Sequence, residues 1–144
     1  MFNARPNRDQ YFLNVATVVS TRATCDRANI GAVLVQDNYI ISTGYNGAPH
    51  GLPHCDEAGH LMENGHCVRT THAEQNAIIQ AAVHGTSTAG ATLYTTHSPC
   101  KICAKIILNA HIKKVVAKNF YRDDTVLEMF KQANVEFVII DNKP

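Results

Sequence analysis

From Thr71 to Ile140 the apolar pattern switches repeatedly between two periods, and this switching restricts the fold more than any other feature of the chain. HAEQNAIIQAAVHG has helical spacing, with Thr71 placed to cap its start and Gly85 to stop it. ATLYTTH reads as a strand, CKICAKIILNA after Ser98-Pro99 as a helix, and KKVVAKN as a strand. Pro99 near that helix's first turn loses no hydrogen bond. DDTVLEMFKQAN reads as a helix capped by Asp123 or Asp124, and VEFVII as a closing strand. Strands alternating with helices imply an α/β fold, with a largely parallel sheet covered by helices. Upstream, Phe12, Val15, Ala16, Val19 and Ala23 mark one face of a first helix over 11–24. The β-rich runs 31–36 and 39–44 flank Asp37-Asn38 and predict a hairpin with a tight turn.

Residues 46–71 follow neither period. They hold Gly47, Gly51, Gly59, Gly65, Pro49 and Pro53 among a concentration of Cys and His. A loop of ~25 residues is unusual inside a compact domain and is generally functional or disordered. The whole chain, 144 residues, is the size of one domain over 1–144, able to bury a core without disulfides. No run of ~20 apolar residues spans a membrane, and the polar start MFNARPNRDQ has no signal core. A cytoplasmic, reducing location is therefore expected. There an odd count of 5 cysteines clustered with histidines points to metal. The net charge of +1, with no basic stripe, argues against a nucleic-acid partner and leaves a small anionic substrate open.

Cys100-Lys101-Ile102-Cys103 sits at a helix start, where both sulfurs can face one point and the dipole favours thiolate. Alone, such a motif fits redox chemistry or metal. His72-Ala73-Glu74, on the first turn of the preceding helix, separates the two. Successive helix starts in a parallel αβα unit lie at the same sheet edge, so His72, Cys100 and Cys103 can converge. Three protein ligands mark a catalytic zinc, whose fourth position stays open for water. Glu74 can lie beside such a metal without ligating it and move protons. H-x-E followed by P-C-x-x-C is the signature of zinc-dependent nucleobase deaminases. As a structural alternative, Glu74 is an N-terminal helix carboxylate worth ~0.3–1 kcal/mol, which leaves the joint pattern unexplained.

The sequence resembles the cytidine and deoxycytidylate deaminase superfamily over nearly its whole length, from about Tyr11 to Ile140. The resemblance is carried by Cys25, Gly31-Ala32-Val33, the segment Gly44-Tyr45-Asn46-Gly47-Ala48-Pro49-His50-Gly51, His54-Cys55, His72 to Ala77, and Thr96 to Cys100. The GYNGAPHG segment points to the deoxycytidylate branch. The resemblance implies a three-layer α/β/α fold with a mixed five-stranded sheet, a homohexamer, and hydrolysis of dCMP to dUMP and ammonia, which supplies thymidylate synthesis. It also implies control by dCTP and dTTP, with Mg2+ accompanying the effector. Gly44, Asn46, Gly47 and Gly51 are candidates for that nucleotide site, because glycines let main-chain N–H groups approach phosphate. A plain strand-end turn is the alternative.

Asn46 matches the family position that contacts the sugar, and Ala73 joins the substrate set; a buried Asn can equally cap its own turn. The phosphate needs cationic or N–H donors. Arg27 is the first candidate and Arg122 the second, while Tyr121 is placed against base or ribose. Relatives in this family carry a second zinc that pins the long loop. Cys25 and Cys55 fall on its positions, with Cys67 as the third ligand and His60 as the fourth in preference to His66. Three ordinary cysteines are the alternative. His97 reads as a strand-end histidine. Other substrates (cytidine, guanine, a riboflavin precursor) and a non-catalytic zinc or nucleotide-binding accessory are the competing functions.

Overall fold

A computed structural model describes residues 4–140; the first three residues of the polar N-terminal segment and the last four of the chain lie outside it. The first helix, α1, runs Arg8–Ser20, one turn earlier than its apolar face predicts. The reason is its cap: the Asn7 side chain accepts the Gln10 N–H at 2.8 Å, and Ala23 falls in the turn beyond the helix. Strands β1 (Gly31–Gln36) and β2 (Tyr39–Tyr45) form the expected hairpin. Asp37 and Asn38 have φ of 52° and 66°, the left-handed pair that a two-residue hairpin turn requires.

Residues 46–71 are more regular than their composition predicts. They contain a one-turn helix, α2 (Cys55–Ala58), and a miniature hairpin of β3 (Met62–Glu63) and β4 (His66–Cys67). Both elements are shorter than the window that periodicity needs. The tip of the small hairpin is Asn64-Gly65, with φ of 51° and 80°.

Helix α3 (Ala73–Val83) is capped at its start by His72 rather than Thr71, and the His72 N–H donates to Gln75 Oε1 at 3.0 Å. Then come β5 (Thr92–His97), α4 (Lys101–Asn109), β6 (Lys114–Asn119), α5 (Asp124–Gln132) and β7 (Glu136–Ile139). Cys100 is the N-cap of α4, so Pro99 stands just outside the helix. Asp123 caps α5.

The sheet order is β2-β1-β5-β6-β7. Pairs β1–β2 and β1–β5 are antiparallel, whereas β5–β6 and β6–β7 are parallel. The sheet is therefore mixed, and helix–strand alternation alone overstates its parallel part. Between β1 and β5 lie β2 and then the long connection 46–91, too long for alternation to fix the direction of β5. Strand alternation divides the core into two. Ala32, Leu34, Leu93 and Val115 face α3, α4 and α5, while Val33, Val35, Tyr94 and Val116 face α1. Gly44 lets α3 lie directly on β2: a Cβ there would sit 2.3 Å from the Ala73 carbonyl oxygen and from the Ala77 nitrogen. Among the described residues, no helix is long and apolar enough to cross a membrane.

Candidate active site

The N-cap residues of α3 and α4 are themselves metal-binding side chains, His72 and Cys100. The sheet brings these helix starts together. His72 Nδ1 lies 3.2 Å from Cys103 Sγ and 3.6 Å from Cys100 Sγ. The donor atoms of His72, Cys100 and Cys103 all lie within 4.8 Å of one another. Two helix N-termini meet here, and each favours negative charge. The Cys100 thiol is held down to about 3, first by its hydrogen bond with Cys103 and also by His72, against the opposing effect of burial. Cys103 is pushed far up by the same bond and by burial. His72 is raised, chiefly by its hydrogen bond to Cys100. The cluster thus carries a thiolate beside exchangeable protons that a cation would displace. Two sulfurs and one imidazole nitrogen, with no fourth protein donor among the described residues, fit zinc in a site open to water.

Glu74 is 4% exposed and lines the same cavity, of about 680 Å³, as His72 and Cys100. Burial raises its carboxyl above the usual range. A carboxyl tuned upward is suited to accept a proton and return it near neutral pH.

The other predicted substrate residues divide. Asn46 and Arg27 line this cavity. The Asn46 amide is committed inside the protein, accepting the Ile30 N–H at 2.8 Å and donating to the Ala28 carbonyl at 2.6 Å. Ala73 is wholly buried in the core between α3 and the sheet. Tyr121 is exposed beside the cavity rather than in its lining, its ring stacked on His97 at 5.8 Å and 10°. Its N–H donates to Ser98 Oγ at 3.0 Å, and Ser98 does line the cavity. Sequence reading treated His97 as a strand-end residue and missed this stack. Arg122 pairs with Asp124 at 3.0 Å and is not part of the cavity lining.

The second cluster is also assembled. Cys25, Cys55, His60 and Cys67 place their donor atoms within 4.8 Å of one another. Cys25 Sγ lies 3.4 Å from His60 Nδ1, and Cys55 Sγ lies 3.5 Å from Cys67 Sγ. Burial pushes Cys55 up to about 12, while a main-chain hydrogen bond from Arg69 leads in bringing Cys67 down to about 6. Four such donors with no open position suit a structural zinc. His66 is not among them. It stands beside Cys67 on a two-residue strand and, like Cys67 and Cys25, lines the active-site cavity. Asp26 went unnoticed in the sequence: its carboxylate lies 2.9 Å from His60 Nε2, leaving Nδ1 for the cluster. Its position directly after Cys25 was the available signal.

Gly44, Gly47 and Gly51 line a different cavity, of about 470 Å³, together with His50, His54, Asn76 and Gln80. Asn46 is absent from that lining. His54 Nδ1 contacts Thr24 Oγ1 at 2.9 Å and the Ala48 N–H at 3.2 Å, tying the segment to the loop after α1.

Comparison with known proteins agrees with this geometry. ComE operon protein 2 of Bacillus subtilis (strain 168) is 43% identical over 128 residues, covering 88% of this chain and 68% of that protein. The deoxycytidylate deaminase of Mycobacterium phage D29 is 36% identical, covering 78% of this chain and 95% of its own. The crystal structure of dCMP deaminase from the cyanophage S-TIM5, in complex with dCMP and dUMP, superposes with a TM-score of 0.83 at 32% identity, over 96% of this chain and 100% of that one. The profile of the cytidine and deoxycytidylate deaminase zinc-binding region matches residues 6–119. With the profile spanning both helix starts that carry His72, Glu74, Cys100 and Cys103, the chain belongs to the cytidine and deoxycytidylate deaminase family, a zinc-binding family.

Proposed function

We propose that this protein is a zinc-dependent deaminase that hydrolyses dCMP to dUMP and ammonia. The observation that carries the reading is a three-donor Cys/His cluster with a buried carboxylate at its side, both on the wall of one cavity. Relatives named deoxycytidylate deaminase and the S-TIM5 complex with dCMP and dUMP support the choice of substrate.

His72, Cys100 and Cys103 would hold the zinc. When bound, the ion polarises water and lowers its pKa toward ~7. The chain's own residues do the rest. Glu74 takes a proton from the attacking water and delivers it to N3 of the cytosine ring. It then passes the second proton to the departing N4 amine, so one water enters and one ammonia leaves. Burial keeps the carboxyl from being levelled by solvent. Arg27, at the cavity wall, is assigned to the phosphate, and the exposed Tyr121 to the sugar or base side of the opening.

Cys25, Cys55, His60 and Cys67 hold a second, structural zinc in this reading. The cavity at 43–51 takes a dCTP or dTTP effector with Mg2+, and the enzyme acts as a homohexamer in the cytoplasm. Ammonia release from dCMP, deoxycytidine and guanine tests the substrate. A rate on dCMP far above the other two is expected; equal rates on dCMP and deoxycytidine would reject it. Metal analysis is expected to find two zinc ions per chain, one for each cluster.

A further inference from the structure

We infer that Asn64 is a site of spontaneous covalent modification, at which the side chain loses its amide to attack by the Gly65 nitrogen, and that the donors of the second Cys/His cluster hold this reaction in check. The restraint rests on the reading of that cluster as a zinc site; the modification site does not.

The sequence holds the pair Asn-Gly twice, at Asn46-Gly47 and at Asn64-Gly65. In such a pair the second residue has no side chain, so its main-chain nitrogen can approach the Asn side-chain carbonyl carbon. The fold treats the two pairs differently. Asn46 is 6% exposed. Its Oδ1 accepts the Ile30 N–H at 2.8 Å, and its Nδ2 donates to the Ala28 carbonyl at 2.6 Å. The attacking nitrogen is held as well, since the Gly47 N–H donates to the Thr71 carbonyl at 3.3 Å. Both reacting groups are thus fixed inside the domain. Asn64 and Gly65 are exposed. Among the described residues, no hydrogen bond engages the Asn64 amide or the Gly65 N–H, and the space around the Gly65 Cα is open.

The reaction balances with water alone. The Gly65 nitrogen gives its proton to solvent base and bonds to Asn64 Cγ. The Cγ–Nδ2 bond breaks, Nδ2 takes a proton and leaves as ammonia, and a succinimide ring remains. Water then opens the ring. Attack at Cγ gives aspartate; attack at the main-chain carbonyl gives isoaspartate, with the chain routed through the former side chain.

Ring closure rotates the Asn64-Gly65 link out of its turn, whose φ values are 51° and 80°. The hairpin must therefore open first. Its own packing resists weakly: each strand has two residues, and Met62, Glu63 and His66 are exposed. A two-stranded hairpin is marginal by itself. The restraint lies below the tip. The Val68 N–H donates to the Leu61 carbonyl at 2.8 Å. Cys67 places its sulfur within 4.8 Å of the donor atoms of Cys25, Cys55 and His60. With a metal ion bound, those four donors tie the strand after the tip to the loop after α1 and keep the turn closed. The modified tip is then a record of time spent with that tie undone.

The test incubates the purified protein in mildly alkaline buffer. Conversion of each Asn-Gly pair is followed by peptide mass and by isoaspartyl labelling, with zinc content recorded. Opening free energies within one domain run from about zero to the global stability, so Asn64 is expected to convert at least about tenfold faster than Asn46. Equal rates at the two sites would overturn the assignment. Cys55→Ser, lacking one zinc, is expected to raise the Asn64 rate several-fold while Asn46 keeps its own, the sign that the domain stays folded. Wild-type protein stripped of the same zinc by a chelator gives that measurement without a substitution. If both keep the wild-type Asn64 rate, the restraint by the cluster is wrong and the site stands. If wild-type protein holds no zinc at the second cluster, the zinc reading falls, and the ratio of Asn64 to Asn46 still decides the site. Asn64→Gln is expected to abolish the isoaspartyl signal from that peptide; a signal remaining there would place the modification at another residue.

Discussion

The two Cys/His clusters reach similar compactness by opposite routes. His72, Cys100 and Cys103 stand on helix starts fixed by the sheet and by cores such as Ala77, Ala104 and Ile107. Cys25, Cys55, His60 and Cys67 come from a loop, a one-turn helix and a two-residue strand. Of these four only Cys25 and Cys55 are buried. The first cluster is a consequence of the fold. For the second, the proposed zinc would take the place of a core that residues 46–71 cannot build. A metal lost from the first should cost chemistry and leave the fold; one lost from the second should cost local order.

The strongest way to break this contrast is Glu74→Gln. Proton transfer by a positioned group contributes roughly 10²–10⁴-fold, and ammonia release should fall by about that amount while zinc content stays unchanged. Full activity in that variant would remove Glu74 from the mechanism. Next is a matched pair, Cys100→Ser and Cys55→Ser. Each should lose one zinc. Hydrogen exchange should rise over 46–71 in Cys55→Ser and remain near wild type in Cys100→Ser, whose turnover should be lost. Matching exchange maps for the two would erase the distinction. Asp26→Asn sharpens it further. Removing a carboxylate that orients a ligating imidazole typically weakens metal binding ~10–100-fold, so chelator competition should release one zinc earlier and spare the other. The smallest effect expected is for His97→Leu, which loses the stack on Tyr121, worth ~0.5–1.5 kcal/mol for such ring pairs. KM for dCMP should rise by a few-fold with zinc content unchanged; an unaltered KM would leave the stack without a role.

The legible parts of the molecule were those with a repeated local signal. Alternating periods placed α3 to β7, and Asp37-Asn38 announced their own turn. The triad His72, Cys100 and Cys103 stood out because helix starts bring ligands together by rule. Sheet direction at β1–β5 was not legible, since a long connection can return either way. The regular elements inside 46–71 were hidden by their brevity. Spacing from Cys55 favours His60 over His66 as the fourth donor, and the cluster holds His60. Asp26 and the Tyr121–His97 stack are contacts between segments far apart in sequence, which no local pattern records.

The tip of the small hairpin, Asn64-Gly65, is a two-residue turn whose register sets which way its flanking side chains point. Side chains along a strand change face at every step, so one residue added or removed at that tip would swing His66 out to solvent. Loop tips also accept such changes more readily than any other part of a fold. One wall of the active-site cavity is therefore open to revision by a change of length, with every residue around the first cluster left as it is.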